Sequence, residues 1–137
     1  MSAAYAYSDR IRGTIADSAI TSLLDDAEHT EAWRRDIERL EFGDERDPKI
    51  RQFMDGSAPV SNADKIKKPL LIFQGANDPR VPVSEATNLI AATKKRIPVW
   101  YVMAKGEGHG FVQPANRDYE MYATILFVRE FLLKTDQ

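Results

Sequence analysis

Two residue types able to hold or move a proton follow apolar runs in this sequence. Asp78 sits in G-A-N-D-P, three residues past Gly75, which closes the run Pro69-Leu70-Leu71-Ile72-Phe73-Gln74-Gly75. His109 sits in E-G-H-G-F, five residues past Ala104, which closes Pro98-Val99-Trp100-Tyr101-Val102-Met103-Ala104. A carboxylate that accepts from one imidazole nitrogen leaves the other free to act on a third group. That is the base-and-orienter half of a nucleophilic triad. Glycines on both sides of His109 allow a tight loop and close approach of a substrate. Each residue alone has a plainer reading: Asp in G-A-N-D-P is a common turn former, and a lone histidine in a Gly-rich loop is ordinarily a solvated loop residue. Their joint position after successive apolar runs strengthens the catalytic reading.

The elements that place them follow from pattern. Both apolar runs, opened by proline, read as strands covered on both faces. Between them, Ser84 is a plausible N-cap, and Ala86, Leu89, Ile90 and Thr93 mark a helical face. A second, long helix is expected from Asp118 to about Lys134, apolar around much of its circumference. Strand, helix, strand, helix is a βαβ unit with a further helix, which requires parallel strands and a right-handed crossover. The fold class is α/β. In an open parallel sheet, reactive groups collect beyond the carboxyl ends of the strands. Neighbouring strands, about 4.8 Å apart, would deliver Asp78 and His109 to one edge.

Upstream the signals are weaker. M-S-A-A-Y-A-Y-S is rich enough in alanine to be helical, and a short strand is expected around Ile11 to Ala16. Trp33, Ile37 and Leu40 fall at i, i+4 and i+7, one stripe of a helix ending near Gly43. Asp47-Pro48 supplies an N-cap and a first helical residue, with Ile50, Phe53 and Met54 on one face and Gly56 and Pro59 closing the piece.

Composition narrows the function classes. At 137 residues the chain is one domain by length. A net charge of −2, with acidic and basic residues interspersed as in R-R-D-I-E-R, gives no electrostatic footprint for nucleic acid or an anionic membrane. With no cysteine there is no disulfide framework, thiolate metal site or cysteine nucleophile. Two histidines, His29 and His109, leave little material for a transition-metal site, and no cofactor is implied. His29, in D-D-A-E-H-T-E, reads as solvated. No apolar run approaches the roughly 20 residues that span a bilayer, and no signal peptide is visible, so a cytoplasmic setting is expected.

The stretch I-K-K-P-L-L-I-F-Q-G-A-N-D-P-R-V-P, followed by V-W-Y-V-M-A-K-G-E-G-H-G-F, resembles the C-terminal catalytic region of the prolyl oligopeptidase family, with acylaminoacyl-peptidase-like and dipeptidyl-peptidase-like members the nearest match. The likeness extends upstream through E-F-G-D-E-R-D-P and S-A-P-V-S-N-A-D-K-I. It implies a partial α/β-hydrolase domain over residues 1–137, with about three parallel strands flanked by helices. It also implies that Asp78 is the triad acid and His109 the triad base.

The departure from the family pattern is a missing nucleophile elbow. Family members carry G-x-S-x-G-G leading into a helix, and no G-x-S-x-G occurs here. The serines present stand in no strand-turn-helix context of that kind; Ser57, in D-G-S-A-P, is the nearest imitation. The resulting expectation is a serine-peptidase fragment, inactive in isolation, that would act on peptides or esters only within a complete enzyme. Two rivals stand beside it: a non-catalytic self-associating module, and one half of a split hydrolase whose serine arrives on another chain. Homo-oligomers are expected through the unpaired edge of the first strand or the apolar surface of the N-terminal helix.

Overall fold

The computed structural model describes residues 1–133. Its centre is a three-stranded parallel sheet in the order β1 (Thr14–Asp17), β2 (Leu70–Gly75), β3 (Val99–Ala104). All six residues of β2 are buried, which is why its sequence is continuously apolar up to Gln74. Alternate side chains of β2 feed two cores. Leu70 and Ile72 pack with Ala86 and Leu89 of α5 (Val83–Thr93) and with Ala4 of α1 (Ser2–Ala6). Leu71 and Phe73 pack with Phe111 and with Phe127 of α6 (Pro114–Phe127). Trp100 of β3 meets Phe127 and Phe131 edge-on at 5.6 Å each, an aromatic arrangement worth about 0.5–1.5 kcal/mol per pair beyond the area buried.

Between β1 and β2 run α2 (Leu23–His29), α3 (Ala32–Phe42) and α4 (Pro48–Ser57), followed by a 3-10 turn at Ala63–Lys65. Asp47 caps α4 with Pro48 at its first position, as the sequence signals, and Ser22 caps α2 by accepting the Asp25 N–H, a cap that pattern did not predict. The helical layer is tied to α5 through a buried carboxyl group. Glu85 accepts hydrogen bonds from the Thr21 N–H and from the Ser22 N–H (2.7 Å). Close by, Asp26 is hydrogen-bonded to Glu38, which also pairs with Arg34 at 2.7 Å. Burial pushes the Asp26 carboxyl up to about 7, and the Glu38 and Glu85 carboxyls add to the effect. Glu85 is likewise raised to about 7, chiefly by burial.

Several sequence expectations shift in the folded chain. The first strand starts three residues later than expected, at Thr14. Position N-cap of α5 is Pro82 rather than Ser84, whose hydroxyl instead donates to Asp25 Oδ2 at 3.1 Å. The α6 helix begins at Pro114, ahead of Asp118, because a proline is well suited to the first turn. It gives way to a π-helical turn at Val128–Leu132, and the expected end at Lys134 lies outside the described residues. The β3 strand is mostly half-buried, not covered like β2, because it forms a sheet edge. The Trp33, Ile37 and Leu40 stripe does fall on helix α3, yet Leu40 is 90% exposed and Trp33 65%. Periodicity placed the helix correctly but did not say which face meets the core. On α4, Met54 is buried while Phe53 is exposed.

Candidate active site

Strands β2 and β3 end in step, with Gly75 opposite Ala104. The loops that follow therefore leave the sheet side by side at its carboxyl edge. They are then knitted together by backbone hydrogen bonds, from the Ala76 N–H to the Ala104 carbonyl at 3.0 Å and from the Asn77 N–H to the Glu107 carbonyl at 2.9 Å. Glycine is required at position 75, since a methyl group there would overlap the carbonyl oxygens of Gly108 and Glu107. The second loop can lie directly on the end of β2 because nothing projects from it.

Asp78 turns back over its own loop. Its Oδ1 accepts the N–H groups of Arg80 at 2.8 Å and Val81 at 3.0 Å, which fixes the carboxylate before any partner approaches. The side chain is fully buried. His109 lies across from it, with Nδ1 3.0 Å from Oδ2 and 3.3 Å from Oδ1. A carboxylate only accepts, so the imidazole proton of the neutral ring belongs on Nδ1. Nε2 then carries the lone pair, and it has no partner among the described residues. The ring is 39% exposed, so Nε2 is open to an incoming group. Both residues singled out by sequence are thus brought together, with the orientation that general-base chemistry needs.

The loop around His109 is held from both sides. Gly108 and Gly110 form an isolated bridge around the histidine, and Gly110 takes φ 88°, a conformation that favours glycine. Phe111 anchors the far side against Phe73, edge-to-face at 5.9 Å. Glu107, which sequence reasoning quoted but left without a role, is completely buried. Its Oε2 accepts the Val112 N–H at 3.0 Å, and its Oε1 accepts the Gln113 N–H at 3.0 Å and the Asn116 side chain at 2.7 Å. Those bonds, led by the one from Val112, hold its carboxyl below the usual range. The signal available in sequence was a carboxyl residue in a glycine-rich loop a few positions before a proline-started helix.

No serine among the described residues bonds to His109. Ser57, the nearest sequence imitation of a nucleophile, ends α4 and donates to the Met54 carbonyl at 3.2 Å. Ser18 has a more unusual place. It follows β1 at φ 46°, the only non-glycine residue with positive φ among the described residues, and its hydroxyl donates to Asp17 at 3.1 Å. Sequence pattern did not predict a strained serine just past a strand. No helix starts there, because α2 begins only at Leu23. Nor do the described residues hold a cluster of metal-ligating side chains.

A model of the prolyl oligopeptidase family matches residues 1–135. The chain belongs to the prolyl oligopeptidase family. It is 45% identical over 87 residues to dipeptidyl aminopeptidase BIII of Pseudoxanthomonas mexicana, a match that covers 61% of this chain and 13% of that protein. Among solved structures, it superposes on a puromycin-hydrolyzing peptidase of Mycobacterium tuberculosis with a TM-score of 0.85 at 25% identity, over 98% of this chain and 20% of the other. Acylaminoacyl peptidase of Pyrococcus horikoshii shares the fold, with a TM-score of 0.86 at 19% identity over 99% of this chain and 23% of that one. The prolyl oligopeptidase match accounts for the α/β-hydrolase arrangement of three parallel strands flanked by helices. The chain spans about an eighth of the length of the curated relative.

Proposed function

We propose that this chain is the acid-and-base part of a serine peptidase, a single partial hydrolase domain in which His109 is the general base and Asp78 its orienting acid. The observation that carries the reading is the Nδ1 to Asp78 hydrogen bond of 3.0 Å with Nε2 left open. In the complete catalytic arrangement, a serine hydroxyl supplied from outside the described elements attacks a peptide or ester carbonyl. His109 Nε2 takes the hydroxyl proton and returns it to the leaving group, while Asp78 holds the tautomer and stabilises the imidazolium. The peptidase names of the relatives support amide bonds as the substrate class.

On this reading the chain by itself is inactive. It lacks G-x-S-x-G, and with it the backbone donor that follows the nucleophile. Loss of one oxyanion-hole donor alone costs about 10² to 10³ in rate. The test is hydrolysis of a chromogenic ester and labelling by a serine-reactive phosphonate, in wild type and His109→Ala. Equal background rates and no label support the reading. Turnover that vanishes in His109→Ala, with label mapped to Ser18, would replace it with a self-sufficient hydrolase. A second reading, self-association, is favoured by the outer edge of β1, which pairs with no strand among the described residues. The N-terminal helix is the weaker candidate for that surface, because Ala4 is already buried and Met1 and Tyr5 pack on the first core.

A further inference from the structure

We infer that Glu107 is the positioning residue of the histidine base, a role that rests on the assignment of Asp78 and His109 as a catalytic pair. Glu107 stands at the junction of the two loops. Its backbone carbonyl accepts the Asn77 N–H at 2.9 Å and so ties it to the loop that carries Asp78. Its carboxylate reaches across the base of the histidine loop to Val112, Gln113 and Asn116, at the start of α6. His109 lies at the tip of the segment closed by this clamp. The ring can meet Asp78 only if residues 107–113 keep their path; the Glu107 carboxylate joins both ends of that path with three hydrogen bonds, and the Gln113 side chain adds one to the Gly106 carbonyl at 3.2 Å.

Chemistry explains why the residue is an acid. The two carboxylate oxygens face three N–H donors and no N–H of their own. Among the described residues no cation pairs with the buried carboxylate; donors that surround it take the place of water. The negative charge also lies against the N-terminal end of a fourteen-residue helix, where the helix dipole favours it. A glutamine of the same shape could not substitute. In either orientation its NH2 would face at least one N–H donor, setting donor against donor and breaking that bond of the clamp. The clamp therefore depends on charge and acceptor count, not on volume.

The test is the low-field NMR resonance of the imidazole Nδ1 proton, observed in this chain and assigned by its loss in Asp78→Asn. Glu107→Gln is isosteric and opens no cavity, so a purely structural contribution would lower the unfolding temperature and leave that resonance in place. The expected result is a folded variant whose Nδ1 proton exchanges with water at least about tenfold faster, the equivalent of losing one charge-assisted hydrogen bond. A folded Glu107→Gln with unchanged Nδ1 exchange overturns the inference. Should that variant not fold, Asn116→Ala decides, since it removes only one of the donors on Oε1. Faster exchange there supports the role, and unchanged exchange overturns it. If the imidazole nitrogen shifts of the wild-type chain place the proton of the neutral ring on Nε2 instead of Nδ1, the Asp78–His109 pairing itself fails, and the positioning role falls with it.

Discussion

The buried carboxyl group of Asp26 makes a pH prediction with a definite sign. Asp26 is 1% exposed and packed among Glu38 and Arg34 of α3 and Glu85 of α5. Its carboxyl is raised from 3.8 to about 7 in the folded chain. A raised folded pKa means that the native state holds a proton that the unfolded chain releases. The stabilisation is then fully present below about 3.8, falls as pH rises, and is gone above about 7. Asp26→Asn keeps the shape and a donor toward Glu38 but removes the titration. From about pH 5 to about pH 7 the wild type loses about 1.4 kcal/mol per unit, so the variant should gain about 3 kcal/mol over it by pH 8. Urea unfolding at several pH values reads the difference through the midpoint at constant slope. The comparison cancels the opposite trend from Glu107 and Glu45, whose lowered carboxyls lose their stabilising contribution as pH falls. Parallel pH profiles for the two proteins would refute the reasoning.

Two glycines should respond in opposite directions to alanine. Gly75→Ala forces the histidine loop off β2 and should cost about 1–3 kcal/mol in denaturant unfolding, with loss of the His109–Asp78 bond. Gly56→Ala meets nothing within 4 Å in α4 and should stabilise by about 0.5–1 kcal/mol; a destabilised Gly56→Ala would contradict the helix described there. The outer edge of β1 predicts self-association, so a strictly monomeric boundary at micromolar concentration in sedimentation velocity would count against it.

The second half of the chain was legible because its constraints are local. Leu70 to Phe73 are buried on both faces, and a strand of that kind announces itself by continuous apolar sequence. The juxtaposition of Asp78 and His109 was legible because each follows such a strand, and parallel pairing brings the strand ends together. The rest depends on facts that pattern does not contain. The Trp33, Ile37 and Leu40 stripe has helical period, but nothing in the period distinguishes a core face from an open one. Ser84 has the chemistry of an N-cap, but the helix starts just before it, with Pro82 in that position, and its hydroxyl pairs with Asp25 instead. Glu107 was left without a role because two of its three donors are backbone N–H groups, which every residue but proline carries. The Asp26, Glu38 and Glu85 cluster was hidden by a general expectation that carboxyl groups face water.

Asp78 and His109, though hydrogen-bonded, live in different media. Asp78 is sealed from solvent, while the ring of His109 meets water on its far side. Solvent therefore meets the ring on the side away from the acid, and the Nδ1 bond to Asp78 is closed to water. A reagent such as an acylating imidazole probe should find the outer nitrogen and never the acid. On the proposed reading the consequence is directional: only a hydroxyl brought to the open side of the ring can meet Nε2.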